Sequence, residues 1–265
     1  LAARDRQAHS RIIVYHELVK SEGKDKSTMG TCALIGAVDF NAEHFKAMDA
    51  AGAFDFVIAV DAGFASLEAI GRAPDMAVGD FDSLGYVPQC RRVSRHPVKK
   101  DKSDMELAME KAVFWDNQEL FIYGALAKRL DHTIANLQLF ARYSEQGVYV
   151  TGIGDDFAVR CVTGPDVFEL PEDLDAGVVS VFSANDTARG VIERGLEYSL
   201  DDEPLSNRTS LGLSNELTGK PAAVSVEEGT LYVFYPLTSA ASAADADTDA
   251  ESPASKENTP TPASV

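Results

Sequence analysis

Two short stretches, about twenty residues apart, concentrate groups that could do chemistry: Gly79-Asp80-Phe81-Asp82-Ser83 and Lys100-Asp101-Lys102-Ser103-Asp104. Carboxylates brought close together repel one another and lose hydration. The convergence of Asp80, Asp82, Asp101 and Asp104 would therefore imply a hard cation, and Mg²⁺ holding phosphate oxygens is the common case. Each stretch alone also has a plain structural reading. An Asp-x-Asp after a strand is often an Asx turn, and Ser103 or Asp104 suits a helix N-cap. It is the pair of stretches, with Arg91, Arg92, Arg95, Lys99, Lys100 and Lys102 crowded between them, that suits a metal-bound polyphosphate.

The positions of these residues follow from their neighbours. Pro74 to Val78 is a short apolar run behind a proline and reads as a buried strand, which Gly79 ends, releasing Asp80 and Asp82 at its carboxyl edge. Open α/β sheets bind ligands at that edge. Met105 to Ala112 is rich in helix formers, so Asp101 to Asp104 fall on the loop and first turn of a helix.

The 265 residues are 45% hydrophobic, enough for one large domain or two modest ones. No apolar run is long enough to cross a bilayer. Cys32, Cys90 and Cys161 are odd in number and lack metal-ligand spacing, which fits a soluble protein in a reducing cytoplasm. A net charge of -18 argues against nucleic acid or an anionic membrane as the main partner.

From Thr31 the apolar pattern alternates strand and helix: a strand over 31–38, a helix capped by Asn41 with Phe45 and Met48 inward, and a strand over 56–60 ending in Asp61-Ala62-Gly63. A helix follows over 64–70, then the 74–78 strand, a possible strand within 93–98, a helix from Asp104 to Trp115, a strand over 120–123 and a long helix over 131–146. Trp115 is expected in the core. After Gly147 the segments become short, β-like and divided by turns, with Glu227-Glu228-Gly229 read as a hairpin turn between 223–226 and 230–235. The fold class expected is an N-terminal parallel-sheet α/β nucleotide-binding domain over 29–150, followed by a smaller all-β sandwich or barrel over 151–237. Residues 1–28 read as an N-terminal extension before Met29, the first methionine, or as a mis-called start. Residues 238–265 have the composition of a disordered tail.

Further motifs occur in order: Asp61-Ala62-Gly63, Gly124 to His132 with Asn136 beyond, Gly195-Leu196-Glu197-Tyr198, and Ser214-Asn215-Glu216. Taken with the two aspartate stretches, residues 31–236 resemble the thiamine pyrophosphokinase family. The resemblance implies a homodimer that transfers pyrophosphate from Mg²⁺-ATP to the hydroxyethyl group of thiamine and releases AMP. It implies a Mg²⁺-ATP site at Asp80, Asp82, Asp101 and Asp104, with Asp61, Gly63, Lys100, Lys102, Ser103, Arg129, Asp131 and His132 at the nucleotide. Ser214 and Asn215 match the thiamine end, in a site built across the dimer interface. The chain departs from the family pattern at Ala62, Phe64, Ala127 and Lys128, where family members tend to carry glycines or an asparagine.

The residues themselves leave other readings open. Asp82 or Asp101 could be a metal ligand or a base orienting the acceptor hydroxyl. Asp80-x-Asp82 alone would serve a sugar-nucleotide transferase or a phosphatase. A pterin alcohol is an alternative acceptor, and a nucleotide or thiamine sensor with a degenerate site is the alternative without catalysis.

Overall fold

The computed structural model describes residues 29–126 and 129–237; the expectations for 1–28, for Ala127 and Lys128, and for 238–265 lie outside the described residues. The first half alternates as its hydrophobic pattern predicts: β1 (Gly30–Ile35), α1 (Ala42–Ala50), β2 (Phe56–Val60), α2 (Gly63–Ala69), β3 (Met76–Gly79), β4 (Val93–Arg95), α3 (Asp104–Phe114), β5 (Asn117–Tyr123), α4 (Leu130–Ser144) and β6 (Tyr149–Ile153). The parallel strands β1, β2 and β3 are mostly buried apolar runs, as strands covered on both faces must be, and β5 becomes apolar from Leu120 onward. Asn41 caps α1 as expected, its side chain accepting from the His44 N–H. Phe45 is buried and Met48 half-buried.

The second half consists of β7 (Phe157–Thr163), β8 (Asp166–Glu169), β9 (Val178–Ser183), β10 (Thr187–Arg194), β11 (Asp201–Ser206), β12 (Asn215–Glu216), β13 (Ala223–Val226) and β14 (Thr230–Pro236). It is all β, but the sheet does not stop at the expected boundary near residue 150. β6 pairs parallel with β5 and antiparallel with β7, so one ten-stranded sheet runs β12-β9-β14-β7-β6-β5-β1-β2-β3-β4 through both halves. A separate sheet, β11-β10-β13-β8, completes a sandwich.

One face of the long sheet is covered by α1 and α2 and then by this second sheet; Phe45, Phe64, Leu67, Val191, Leu205 and Val224 belong to one apolar cluster. The other face carries α3 and α4, with Met105, Met109, Phe140 and Tyr143 packed against strand residues. Each such side chain, fully buried, contributes about 1.5–3 kcal/mol.

Two expectations fail here. Residues 223–226 and 230–236 do not form a hairpin: β13 lies in the second sheet and β14 between β7 and β9 in the first. The Glu227 and Glu228 N–H groups donate to the Arg189 carbonyl, at 3.0 and 3.2 Å, so the turn carries the chain from one sheet to the other. Trp115 is 44% exposed. It sits at the end of α3, beyond the covered part of the sheet, stacked on Phe56 with the Arg92 guanidinium 4.7 Å from its ring.

Gly63 fixes how α2 meets the sheet. A Cβ there would lie 1.9 Å from the Ile35 carbonyl oxygen, so only glycine lets the helix start this close to β1. Gly63→Ala is expected to cost about 3 kcal/mol, roughly 6–12 °C in melting temperature, which thermal unfolding by circular dichroism would measure.

Candidate active site

In the parallel half, β1 is the innermost strand of the topological switch: the chain runs outward from it through β2, β3 and β4, then returns by α3 to place β5 on its other side. The carboxyl ends of β1 and β5 are joined before they part. The Gly36 N–H donates to the Tyr123 carbonyl at 2.8 Å, and a Cβ on Gly36 would stand 2.5 Å from the Gly124 carbonyl oxygen. Gly124 itself adopts φ 65°, a conformation that suits glycine. Beyond this crossing a crevice of about 590 Å³ opens, where an α/β sheet places its ligand. The expected first strand ran to Val38, but β1 stops at Ile35 and gives Gly36, Ala37 and Val38 to the crevice wall.

Asp61, Asp80, Lys100, Asp101, Lys102, Ser103, Asp104, Arg129, His132 and Asn136 also line the crevice. Asp61 leaves β2 and Asp80 leaves β3, and the parallel pairing of these strands brings the two loops together. Phe81 points the other way, 3% exposed in the core, with φ 62°. Burying it anchors the loop and turns Asp80 and Asp82 outward on either side. Asp61 ties the loop down, accepting from the Phe81 N–H at 3.2 Å and the Ser83 hydroxyl at 2.7 Å. One carboxylate oxygen from each of Asp61, Asp80 and Asp82 lies within 4.8 Å of the others. Such a set of hard oxygens fits Mg²⁺.

Asp101 and Asp104 stand apart from this trio. The Lys100 ammonium lies between Asp80, at 2.9 Å, and Asp104, at 3.1 Å. Its hydrogen bond holds the Asp80 carboxyl below the usual carboxylate range, whereas burial lifts Asp104 against the pull of the same ammonium. Burial opposes the Lys100 charge, but its bonds to both aspartates hold its pKa above the ordinary value. Asp101 is exposed at the crevice edge, and Ser103 caps α3 by accepting from the Glu106 N–H.

The remaining predicted residues divide. Arg129 forms a two-bond pair with Asp131, at 2.9 and 2.6 Å; Arg129 and His132 line the crevice, while Asp131 lies outside its wall. Asn136 donates to the Ala125 carbonyl at 2.8 Å and so supports the loop after β5. Gly63 packs beneath β1 outside the crevice. Of the basic run, Lys100 and Lys102 reach the wall; Arg92 is occupied with Trp115 and Phe56.

Ser214 and Asn215 lie elsewhere, at β12 on the opposite border of the long sheet. Ser214 is exposed, and its φ of 59° leads into the edge strand. Asn215 is buried and its amide fully used: Nδ2 donates to Glu193 at 2.8 Å and to the Tyr198 carbonyl at 2.6 Å, while Oδ1 accepts from the Tyr198 and Glu216 N–H groups at 3.0 and 2.9 Å. It pins a turn and has no donor or acceptor left for a ligand. Glu193 carried no sequence signal beyond being a charged residue in an apolar run.

Hard oxygen donors, two ammonium groups and a guanidinium around a crevice at an α/β switch point are the groups that an enzyme of the phosphate-transferring class needs. Residues 49–151 match the family model described as thiamin pyrophosphokinase, catalytic domain, and residues 167–231 match that of the thiamin pyrophosphokinase, vitamin B1 binding domain. Thiamine pyrophosphokinase of Bacillus subtilis (strain 168) is 24% identical over 184 residues, which are 67% of this chain and 85% of that protein. The crystal structure of thiamine pyrophosphokinase from Bacillus subtilis superposes with TM-score 0.66 at 22% identity, covering 78% of this chain and 99% of that one. That of thiamin pyrophosphokinase from Candida albicans gives 0.64 at 13% identity, covering 79% and 90%. The two models together span more than half of the sequence, and the chain belongs to the thiamin pyrophosphokinase family.

The Lys100 pairing has a measurable consequence. A carboxyl held low in the folded state contributes stability that is present above its unfolded pKa and is lost as pH falls through the folded value, so the Asp80–Lys100 contribution is complete at neutral pH and disappears below about pH 4. Lys100→Met should therefore move the Asp80 titration upward, read by carboxyl ¹³C NMR in metal-free buffer. An unmoved titration would show that the ammonium does not control this carboxylate.

Proposed function

We propose that this chain transfers pyrophosphate from ATP to the hydroxyethyl group of thiamine, giving thiamine diphosphate and AMP. The observation that carries the reading is the carboxylate trio of Asp61, Asp80 and the exposed Asp82, two of whose members line, with Lys100, the crevice at the β1–β5 switch point of a chain of this family. Asp61, Asp80 and Asp82 would hold Mg²⁺, which when bound neutralises and aligns phosphate oxygens.

The chain's own groups supply the rest. Lys100, Lys102 and Arg129 provide positive charge along the phosphates, and His132 faces the nucleotide from the first turn of α4. The acceptor hydroxyl attacks the β-phosphorus; its new O–P bond forms as the bond from that phosphorus to the α-phosphate oxygen breaks, and AMP leaves. Asp101 and Asp104 both line the wall outside the 4.8 Å trio, and with Asp104 engaged by Lys100 the role of accepting the hydroxyl proton is assigned to Asp101.

The acceptor end is the exposed group around Ser214. Tyr198 is 68% exposed there, and Glu197 and Glu216 are exposed beside it, a surface suited to the cationic thiazolium. β12 lies seven strand spacings from β2, from which Asp61 emerges, roughly 33 Å along the sheet at about 4.8 Å per strand. That separation exceeds the reach of two reactants in contact. The complete site therefore takes its nucleotide end from one chain and its acceptor end from a second copy, as a homodimer.

Phosphorus NMR of ATP, Mg²⁺ and thiamine should show AMP and a thiamine diphosphate ester. ADP, free phosphate or binding without turnover would each refute pyrophosphoryl transfer to thiamine. A pterin alcohol consumed in place of thiamine would keep the chemistry and change the acceptor. Asp80→Ala and Asp82→Ala should each lower kcat by at least about 100-fold with the fold retained. Mixing inactive Asp80→Ala with a Ser214→Trp variant that cannot admit thiamine should restore about a quarter of wild-type activity if two chains build each site, and none if one chain does.

A further inference from the structure

Glu193 lies on β10 of the second sheet, away from the nucleotide crevice, and is 1% exposed. A carboxyl group in such a place normally has every oxygen paired. Here Oε2 accepts from Asn215 Nδ2 at 2.8 Å, while Oε1 has no hydrogen-bond partner among the described residues. Burial pushes the Glu193 carboxyl up, against the pull of the Asn215 bond. A leucine would fill the same volume without that desolvation, so the fold alone gives no reason for an acid here.

What the acid touches gives the reason. Asn215 needs an acceptor for the second of its two N–H bonds, the first being committed to the Tyr198 carbonyl. With both satisfied, its amide plane is fixed, and Oδ1 meets the Tyr198 and Glu216 N–H groups. The turn from Gly195 to Leu200 is held from its other end as well. The Glu193 N–H and the Arg194 guanidinium both donate to the Leu200 carbonyl, at 3.1 and 2.7 Å, and the Thr218 hydroxyl donates to the Gly195 carbonyl at 2.8 Å. Among the described residues Asn215 is the one whose side chain bonds the tip of the turn, at the Tyr198 N–H and carbonyl, beside the exposed Tyr198 and Ser214.

We infer that Glu193 is a positioning residue for the acceptor: through Asn215 it fixes the 195–200 turn and so sets Tyr198 against Ser214. The inference rests on the reading that this end of the molecule receives thiamine.

The test compares Glu193→Leu with Glu193→Gln in the full chain. Glu193→Leu removes the acceptor and leaves an Asn215 N–H unpaired; it should raise KM for thiamine about tenfold, with kcat and KM for ATP within about twofold. Glu193→Gln keeps a side-chain oxygen for Asn215 and should restore all three values to within about twofold of wild type. A folded Glu193→Leu protein with an unchanged thiamine KM, or one whose three parameters fall together, overturns the inference. So does a Gln variant that behaves like Leu.

Should Glu193→Leu not fold, NMR exchange of the Asn215 side-chain amide in the wild-type protein decides the matter. Exchange slowed at least about tenfold relative to an exposed asparagine is expected, and exchange at the exposed rate refutes the latch. That measurement requires no turnover, so a wild-type protein inactive toward thiamine would refute the activity while leaving the latch separately decided.

Discussion

Asp61, Asp80 and Asp82 present carboxylate oxygens within 4.8 Å of one another, and the parallel half of the molecule is organised to keep them there. At an effective dielectric constant of about 20, each pair of full charges at that distance repels by roughly 3 kcal/mol, less where Asp82 faces water. The loop withstands this because it is held from inside. Phe81 is buried between the two outer aspartates, and Asp61 takes hydrogen bonds from the Phe81 N–H and the Ser83 hydroxyl. Lys100 offsets part of the charge from the far side. In the proposed reaction, the repulsion left over is what a small divalent cation carrying phosphate would relieve.

The two ends of the proposed reaction are supported by different means. The nucleotide end rests on strand termini and glycine crossings, where backbone groups approach one another directly. The acceptor end rests on a side-chain amide, Asn215, whose bonds join an edge strand of one sheet to the interior of the other. It therefore depends on the packing of two sheets, whereas the crevice depends on the pairing of neighbours in one.

Much of this was readable in the sequence where the signal is local. Pro74 to Gly79 announced a buried strand that releases two aspartates, and Ser103 and Asn41 capped the helices they were expected to cap. Residues joined by tertiary register were not readable in the same way. Asp61 joins Asp80 and Asp82 only because β2 and β3 pair side by side, and nothing near Asp61 reports that pairing. The resemblance put Asn215 at the thiamine end, and its bonds to partners 17 and 22 residues away could not be read from its neighbours. β11 was missed because Asp201-Asp202-Glu203-Pro204 has the composition of a turn; an edge strand tolerates it, since one side of the strand needs no partner. Glu227-Glu228-Gly229 has hairpin chemistry, but its N–H groups are claimed by Arg189, and the turn links two sheets.

The unbroken passage of the long sheet through β5, β6 and β7 bears on how such a protein can be divided. The catalytic and vitamin-binding regions are recognised as separate modules, yet β6, where the first of them ends, is hydrogen-bonded on one side to β5 of that region and on the other to β7, which precedes the second region and pairs in turn with β14 at its end. Cutting there would expose two new sheet borders with unpaired backbone and apolar faces, the kind of edge that invites aggregation. Modules that are distinct in sequence are therefore mechanically a single beam. Inheritance can vary either region, but neither can be exchanged for a foreign counterpart without matching the strand it must pair with.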